Sequence, residues 1–332
     1  PEGAVLLAYA KMSLFDQMLT TNLLDDPYLS RYLHSYFPTL MREKFATSIE
    51  QHPLRREIIA TCVTNTMVNR VGSTFVHFLA SEAACVGGDV VRAFMLAREV
   101  FDLEALWEQI DALDGKVPSV LQMDLLAHLN GVAQRATRWV MRAGPKPERL
   151  QILIVRYQSG QRELRDKLTA GLPEATRTSW QLATQTLAQT GVPEELAQRL
   201  CAFEYLYPVL QMVDMAQELQ TPLMQVADAY WAVDVQLSLS AWRTQVDRLP
   251  TDTLWQTQAR ASARDEVFAT AVHITRTVLR RFDDAAAWSI EHASTLDRLR
   301  QLLQAIASQP ADLASIMVTL RELRQLTTLP TD

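Results

Sequence analysis

Glycine is scarce in this chain, 10 of 332 residues, and its scarcity excludes a good deal. A dinucleotide-binding turn needs a strand, a G-x-G-x-x-G run and a helix, so that backbone N–H groups can hold pyrophosphate. The one adjacent pair, Gly87–Gly88, follows no strand pattern. It reads as the stop of one helix and the opening of the next, with Asp89 favoured at the positive end of that helix. No Gly-rich run leads to Lys-Ser or Lys-Thr, and no G-x-S-x-G elbow is present.

Cysteine is scarcer still. Cys62, Cys85 and Cys201 are odd in number and far apart, which argues against a disulfide framework and for reduced, partly buried thiols of a cytoplasmic protein. A basic excess is also missing: 32 Lys and Arg stand against 38 Asp and Glu, for a net charge of −6. Nucleic-acid binding requires a basic face, so no such partner is expected. No apolar run approaches the roughly 18 to 20 residues a membrane helix needs, so no membrane partner is expected either. The six histidines are scattered without i, i+3 or i+4 partners, the spacing a helical metal site uses. Asp25–Asp26 and Asp283–Asp284 invite comparison with Asp-rich magnesium motifs. Each pair stands at a helix start, where anionic caps are stabilising without a metal. No metal ligand is expected in this chain.

Helix punctuation is abundant. Pro27, Pro38, Pro53, Pro118, Pro173, Pro193 and Pro222 fall where helices begin, a position that tolerates the missing N–H. Asp26 and Thr221, each ahead of a proline, are candidate N-caps. Period-2 alternation is hard to find. The pattern predicts helices over 3–20, 27–36, 38–50, 53–84, 88–101, 103–113, 118–143, 147–170, 173–190, 193–219, 222–248, 252–281, 283–308 and 311–328, with a bend at Pro208. The fold class is therefore all-α. The stretch "RAGPKPE" at 142–148 cannot stay helical and divides a lobe over 1–143, an irregular helical cluster, from an antiparallel bundle of longer helices over 148–332; one continuous domain is the alternative. A chain that opens on Pro1 and enters a helix at once reads as part of something longer.

The stretch "HPLRREIIATCVTNTMVNRVGSTF", 52–75, has helical apolar spacing, yet Thr61, Thr64, Asn65, Asn69, Arg70 and Thr74 interrupt every face. A helix without a solvated face is buried all round, and its polar groups then need partners. Asn65 and Asn69 can clamp neighbouring chain ends, and Arg70 can pair with a carboxylate or cap a helix C-terminus. Gly72 marks a kink or a close helix crossing. Arg55, Arg56, Asn65, Asn69, Arg70 and Gly72 are thus the candidate site, read either as an internal polar lock or as one wall of a ligand site or domain contact.

The segments "PEGAVLLAYAKMSLFDQML" and "DDPYLSRYLHSYFPTLMREKFATSIEQHPLRREIIATCVTNTMVNRVGSTFV" resemble the C-terminal region of the large bacterial NAD-specific glutamate dehydrogenases. "LWEQIDALDGKVPSVLQ" (106–122), "TRWVMR" (137–142) and "LWQTQARASARDEVFATAVHITRTVL" (254–279) are similar too, whereas 143–250 matches mostly in pattern. The resemblance implies a parent enzyme that oxidises L-glutamate with NAD and water to 2-oxoglutarate, ammonia and NADH. It implies that this chain is the helical region after the catalytic portion, because no position here matches the nucleotide turn or the catalytic Lys and Asp motifs. No catalytic or cofactor residue is therefore expected in it, and the chain alone is expected to be inactive. NAD belongs to the parent, the expected partner is the catalytic portion of the same polypeptide, and the parent is expected to be a homo-oligomer. The alternative is an independent helical interaction module with no catalytic role.

Overall fold

A computed structural model describes residues 2–82, 85–142, 148–309 and 312–326. Among these residues every regular element is helical: nineteen α-helices and two short 3-10 turns, with no strand. The chain is all-α. It packs as two compact units, Pro1–Gln161 with Thr186–Phe203, and Arg162–Gln185 with Glu204–Asp332. The 143–147 stretch, where the sequence places a boundary, lies outside the described residues.

In the first unit the Gly87–Val100 helix is the innermost element. Its sequence "VVRAFMLA" offers apolar side chains on every face, and eleven of its fourteen residues are buried. It packs on the Ser119–Arg142 helix and also meets the Glu2–Leu19 and Leu103–Asp111 helices. Gly88 permits this centre. An added Cβ at Gly87 would collide with the Gln17 carboxamide, and one at Gly88 with Cγ2 of Thr21. The pair opens a helix as expected and neither glycine ends one; Gly88 is there for close approach to Thr21, whereas Gly87 would meet only the movable end of the exposed Gln17 side chain.

The 53–84 segment is not one helix. Arg55–Val71 ends at Gly72, whose φ of 94° lies in the region that side chains other than glycine avoid; a second helix, Phe75–Glu82, follows. Nothing lies within 4 Å of where a Gly72 Cβ would stand, so backbone conformation, not a close crossing, requires the glycine. Arg55–Val71 is also not buried all round. Ile59, Ala60, Val63, Thr64, Met67, Val68 and Val71 form its inner face, against the Glu2–Leu19 and Ser30–Tyr36 helices. Thr61 and Asn69 face solvent. The all-round burial read into this helix belongs instead to Gly87–Val100.

The second unit is organised on the Leu254–Arg281 helix, 28 residues long. Val267, Phe268, Ala271, Ile274, Thr275 and Val278 are buried along it, the three-and-four spacing of an inward stripe. Helices Leu223–Gln236, Leu239–Asp247 and Leu313–Gln325 pack against it. Its start is fixed by a capping box in which Thr253 and Gln256 satisfy each other's backbone N–H groups. Several segments are shorter than their sequence pattern. The 193–219 stretch breaks fully at Pro208 into Glu194–Leu206 and Val209–Leu219. The 222–248 stretch breaks at Ser238, which takes a left-handed φ of 54°. Thr221 is not an N-cap: its hydroxyl donates to the Leu219 carbonyl, and Pro222 itself stands at the cap position.

Candidate functional site

Two helix ends and a turn meet in the first unit. The C-terminal end of Glu2–Leu19, the turn 20–27 and the N-terminal end of Gly87–Val100 enclose an open cleft of about 600 Å³. Local chemistry fixes the turn. Asp26 caps the 3-10 turn Pro27–Leu29 by accepting from the Tyr28 N–H at 3.0 Å, as the sequence predicts. Its second oxygen accepts from the Leu150 N–H, also at 3.0 Å. One carboxylate thus serves the starts of two helices that are 124 positions apart.

Asp25, Asp26 and Asp89 bring negative charge to the cleft, and Arg92 and Arg149 bring positive charge. Most of this charge is already engaged. Arg56 forms an ion pair with Asp25 and Arg55 approaches the same carboxylate at 3.8 Å. Arg92 stands 3.7 Å from Asp26 and donates to the Glu148 carbonyl. Among the described residues the lining holds no histidine, cysteine or serine, and the hydroxyls of Thr20 and Thr21 donate to the Gln17 and Met18 carbonyls of the first helix. It is also a poor match for a dinucleotide. The lining carries three carboxylates, and no strand precedes Gly87 among the described residues. The arrangement suits holding chain segments together.

The candidate residues of the 52–75 stretch separate in space. Arg56, not Arg70, closes a helix C-terminus: its guanidinium donates to the Leu19 carbonyl at 3.1 Å and to the Thr21 carbonyl at 2.9 Å. Arg70 pairs with Asp111 at 3.5 Å and lies over the Trp107 ring, 4.9 Å from its centroid. Asn65 is half-buried and Asn69 exposed, and neither side chain has a hydrogen-bond partner among the described residues. Only Arg55 and Arg56 come near the cleft. The histidines also take different places. His52 Nδ1 accepts from the Leu54 N–H at 3.1 Å, and His292 is buried and stacked on Trp288. His77 is exposed.

Two polar clusters were invisible in the sequence because their members are far apart in it. In the first unit Arg31 pairs with Glu99 at 2.6 Å and covers the Tyr28 ring at 4.3 Å. Arg98, buried in the central helix, bonds to the Tyr32 hydroxyl and to Glu104 at 3.0 Å. Burial first, and then Glu99, pushes the Tyr28 phenol above its ordinary range. In the second unit Arg243, 3% exposed, pairs with Asp234 at 2.9 Å and Glu204 at 2.8 Å. Burial raises the Asp234 carboxyl, and the Arg243 charge opposes that rise. Burial also opposes the charge on Arg243, but the two carboxylates outweigh it and keep the guanidinium protonated.

Residues 1–325 match the family described as glutamate dehydrogenase, C-terminal. The chain is 32% identical to the NAD-specific glutamate dehydrogenase of Pseudomonas aeruginosa over 98% of its own length and 21% of that protein. It is 31% identical to the protein of the same description from Halomonas elongata, over 93% of this chain and 20% of the relative. The corresponding figures for that of Mycobacterium tuberculosis are 30%, 98% and 20%. The likeness extends through residues 143–250, where the sequence alone offered mostly pattern. The chain spans about one fifth of the length of these curated relatives.

Proposed function

The chain belongs to the glutamate dehydrogenase C-terminal family, and we propose that it acts as the helical, non-catalytic part of an NAD-dependent glutamate dehydrogenase. In that role it braces the catalytic portion of the same polypeptide, or the homo-oligomer that portion forms, in a cytoplasmic enzyme converting L-glutamate, NAD and water to 2-oxoglutarate, ammonia and NADH. The observation that carries this reading is the match itself: nearly the whole chain corresponds to one fifth of relatives named for that activity, in a family described as C-terminal. The chemistry of the cleft fits it, because the charges there hold helix ends together. Asn65, Asn69 and Arg70, on the outer part of their helix, remain the candidates for a domain contact. Among the described residues no helix is long and apolar enough to cross a membrane.

The test is a mixing experiment. The parent enzyme truncated just before Pro1 is combined with this chain, and NADH formation from glutamate is followed together with co-elution. Co-elution with restored turnover is the expected result. Full activity without the chain, and no binding, would instead make it an independent interaction module. Asn69→Ala and Arg70→Ala in the full-length enzyme separate bracing from catalysis: a brace leaves turnover per assembled enzyme unchanged, whereas folded, assembled and inactive variants would place these groups in the active site.

A further inference from the structure

The Glu2–Leu19 helix is apolar where nothing covers it. Residues 3–10, "GAVLLAYA", carry no charge, and Lys11 is the first basic residue of the helix. An amphipathic surface helix alternates apolar and charged stripes; one that is apolar on all sides belongs inside a protein. Only the second half of this helix buries apolar side chains in this chain. Leu14 and Met18 are buried, and the helix packs on Arg55–Val71 and Gly87–Val100. Roughly the first ten of its residues are bare: Leu6 and Tyr9 are each 66% exposed and Met12 61%. Single exposed apolar residues are ordinary, but five within eight positions (Val5, Leu6, Leu7, Tyr9 and Met12) make the kind of contiguous patch that marks an interface.

We infer that this half-helix is the surface on which the rest of the parent polypeptide docks, and this rests on the proposed function above. In the relatives, about four fifths of the polypeptide lies outside the matching region. That remainder is the one partner present at the effective concentration of a covalent neighbour, so a modest apolar contact suffices to hold it. The chemistry favours this occupant over a lipid surface. Interfacial helices pair their apolar face with a Lys- and Arg-rich one, and here Lys11 is the only basic residue between 2 and 19. The patch is uncharged, so the docking surface it meets is apolar as well. Rows of aliphatic and aromatic side chains, as on a second helix, complete the burial that the sequence of this helix requires. The fixed point is the Arg56 cap at the other end of the helix, which holds its direction while the first half projects.

Oxidative footprinting at Met12 and Tyr9 tests this, comparing the 332-residue chain with the full-length parent enzyme by mass spectrometry. Both side chains are expected to be labelled severalfold more slowly in the parent at every protein concentration. Leu6→Glu in the parent is expected to restore labelling of Met12; Leu6 is largely exposed, so the fold of this chain tolerates the change. Equal labelling in the two proteins would overturn the inference. Protection that arises in the 332-residue chain alone as its concentration rises would assign the patch to a second copy and overturn it too. Protection that requires added phosphatidylglycerol vesicles would assign the patch to lipid, with the same consequence. If labelling is equal while the chain still co-elutes with the truncated parent, the docking surface is elsewhere and the bracing function stands. If co-elution also fails, both readings fall.

Discussion

Arg56 and Leu19 meet across 37 positions of sequence, the guanidinium donating to the last carbonyl of the first helix at 3.1 Å. The same side chain bonds to Thr21 and pairs with Asp25, so one residue closes a helix, shapes the following turn and occupies a carboxylate of the cleft. Carbonyls at a helix C-terminus have no partner within the helix, and a cation there also meets the negative end of the helix dipole. Arg56→Ala is expected to destabilise the chain by about 2 kcal/mol, since hydrogen bonds to charged groups are worth roughly that much. Arg56→Lys should recover less than half of the loss, because an ammonium cannot reproduce the planar fork. Urea unfolding of the three proteins measures both effects, and an unchanged midpoint for the alanine variant would refute the capping role.

Gly88 and Thr21 form a second tight relationship. A Cβ at Gly88 falls well inside van der Waals contact distance of Thr21 Cγ2, and both backbones are held, one by the central helix and the other by the Arg56 cap. Gly88→Ala should cost about 1–3 kcal/mol, the usual range for overpacking. Adding Thr21→Ser removes the colliding methyl and should return most of that loss. A double-mutant cycle in thermal unfolding reads the coupling directly; additive effects would mean that Thr21 is not what Gly88 avoids.

In the second unit the Arg243–Asp234 pair is buried on both sides. Removing one partner leaves a charge stranded in the interior. Arg243→Met is therefore expected to destabilise by about 3–5 kcal/mol, while the double change Arg243→Met with Asp234→Leu should be markedly less harmful. The comparison is made by urea denaturation. A double variant at least as unstable as the single one would show that Glu204, which keeps 40% of its side-chain surface exposed, depends on Arg243 more than Asp234 does.

Burial pushes the Cys62 thiol above its ordinary value, and its sulfur faces the Tyr32 carbonyl at 3.9 Å. The sign follows from that direction. The neutral thiol is favoured in the folded state, so its contribution to stability is complete below the unfolded thiol pKa and is lost as pH rises through the higher folded value. Alkylation by iodoacetamide, followed by mass spectrometry, should be slower at Cys62 than for a model thiol at pH 8. Its rate should still be climbing above the ordinary thiol value of about 8.5. A plateau at or below that pH would contradict the shift.

Helical class was written locally. Proline and Asp26 punctuation, the shortage of glycine and the apolar spacing of segments such as 254–281 act within a turn or two of chain, so they can be read without the fold. The breaks inside long segments were partly legible for the same reason. Gly72 and Pro208 announce themselves by residue type, whereas Ser238 does not, because a serine in the left-handed region is selected by its surroundings and not by its own preference. The candidate residues of the 52–75 helix were singled out by local polarity, which identifies groups that need partners but not which partners exist. Local polarity offers Arg70 as the helix cap, but it is Arg56 that caps; only their neighbours distinguish them.

By itself, then, the sequence determined that the chain is helical, where most helices start, and which family it resembles, since each of these rests on short-range pattern or on quoted residues. Only the tertiary structure decided which helix lies at the centre, that Gly88 serves close packing, that Asp26 reaches Leu150, and that Arg243 stands buried between two carboxylates. It also decided which end of the first helix is left bare. Most of those outcomes depend on contacts between residues tens of positions apart. Their energies come from desolvation and close approach in three dimensions, and neither leaves a local signature in the order of amino acids.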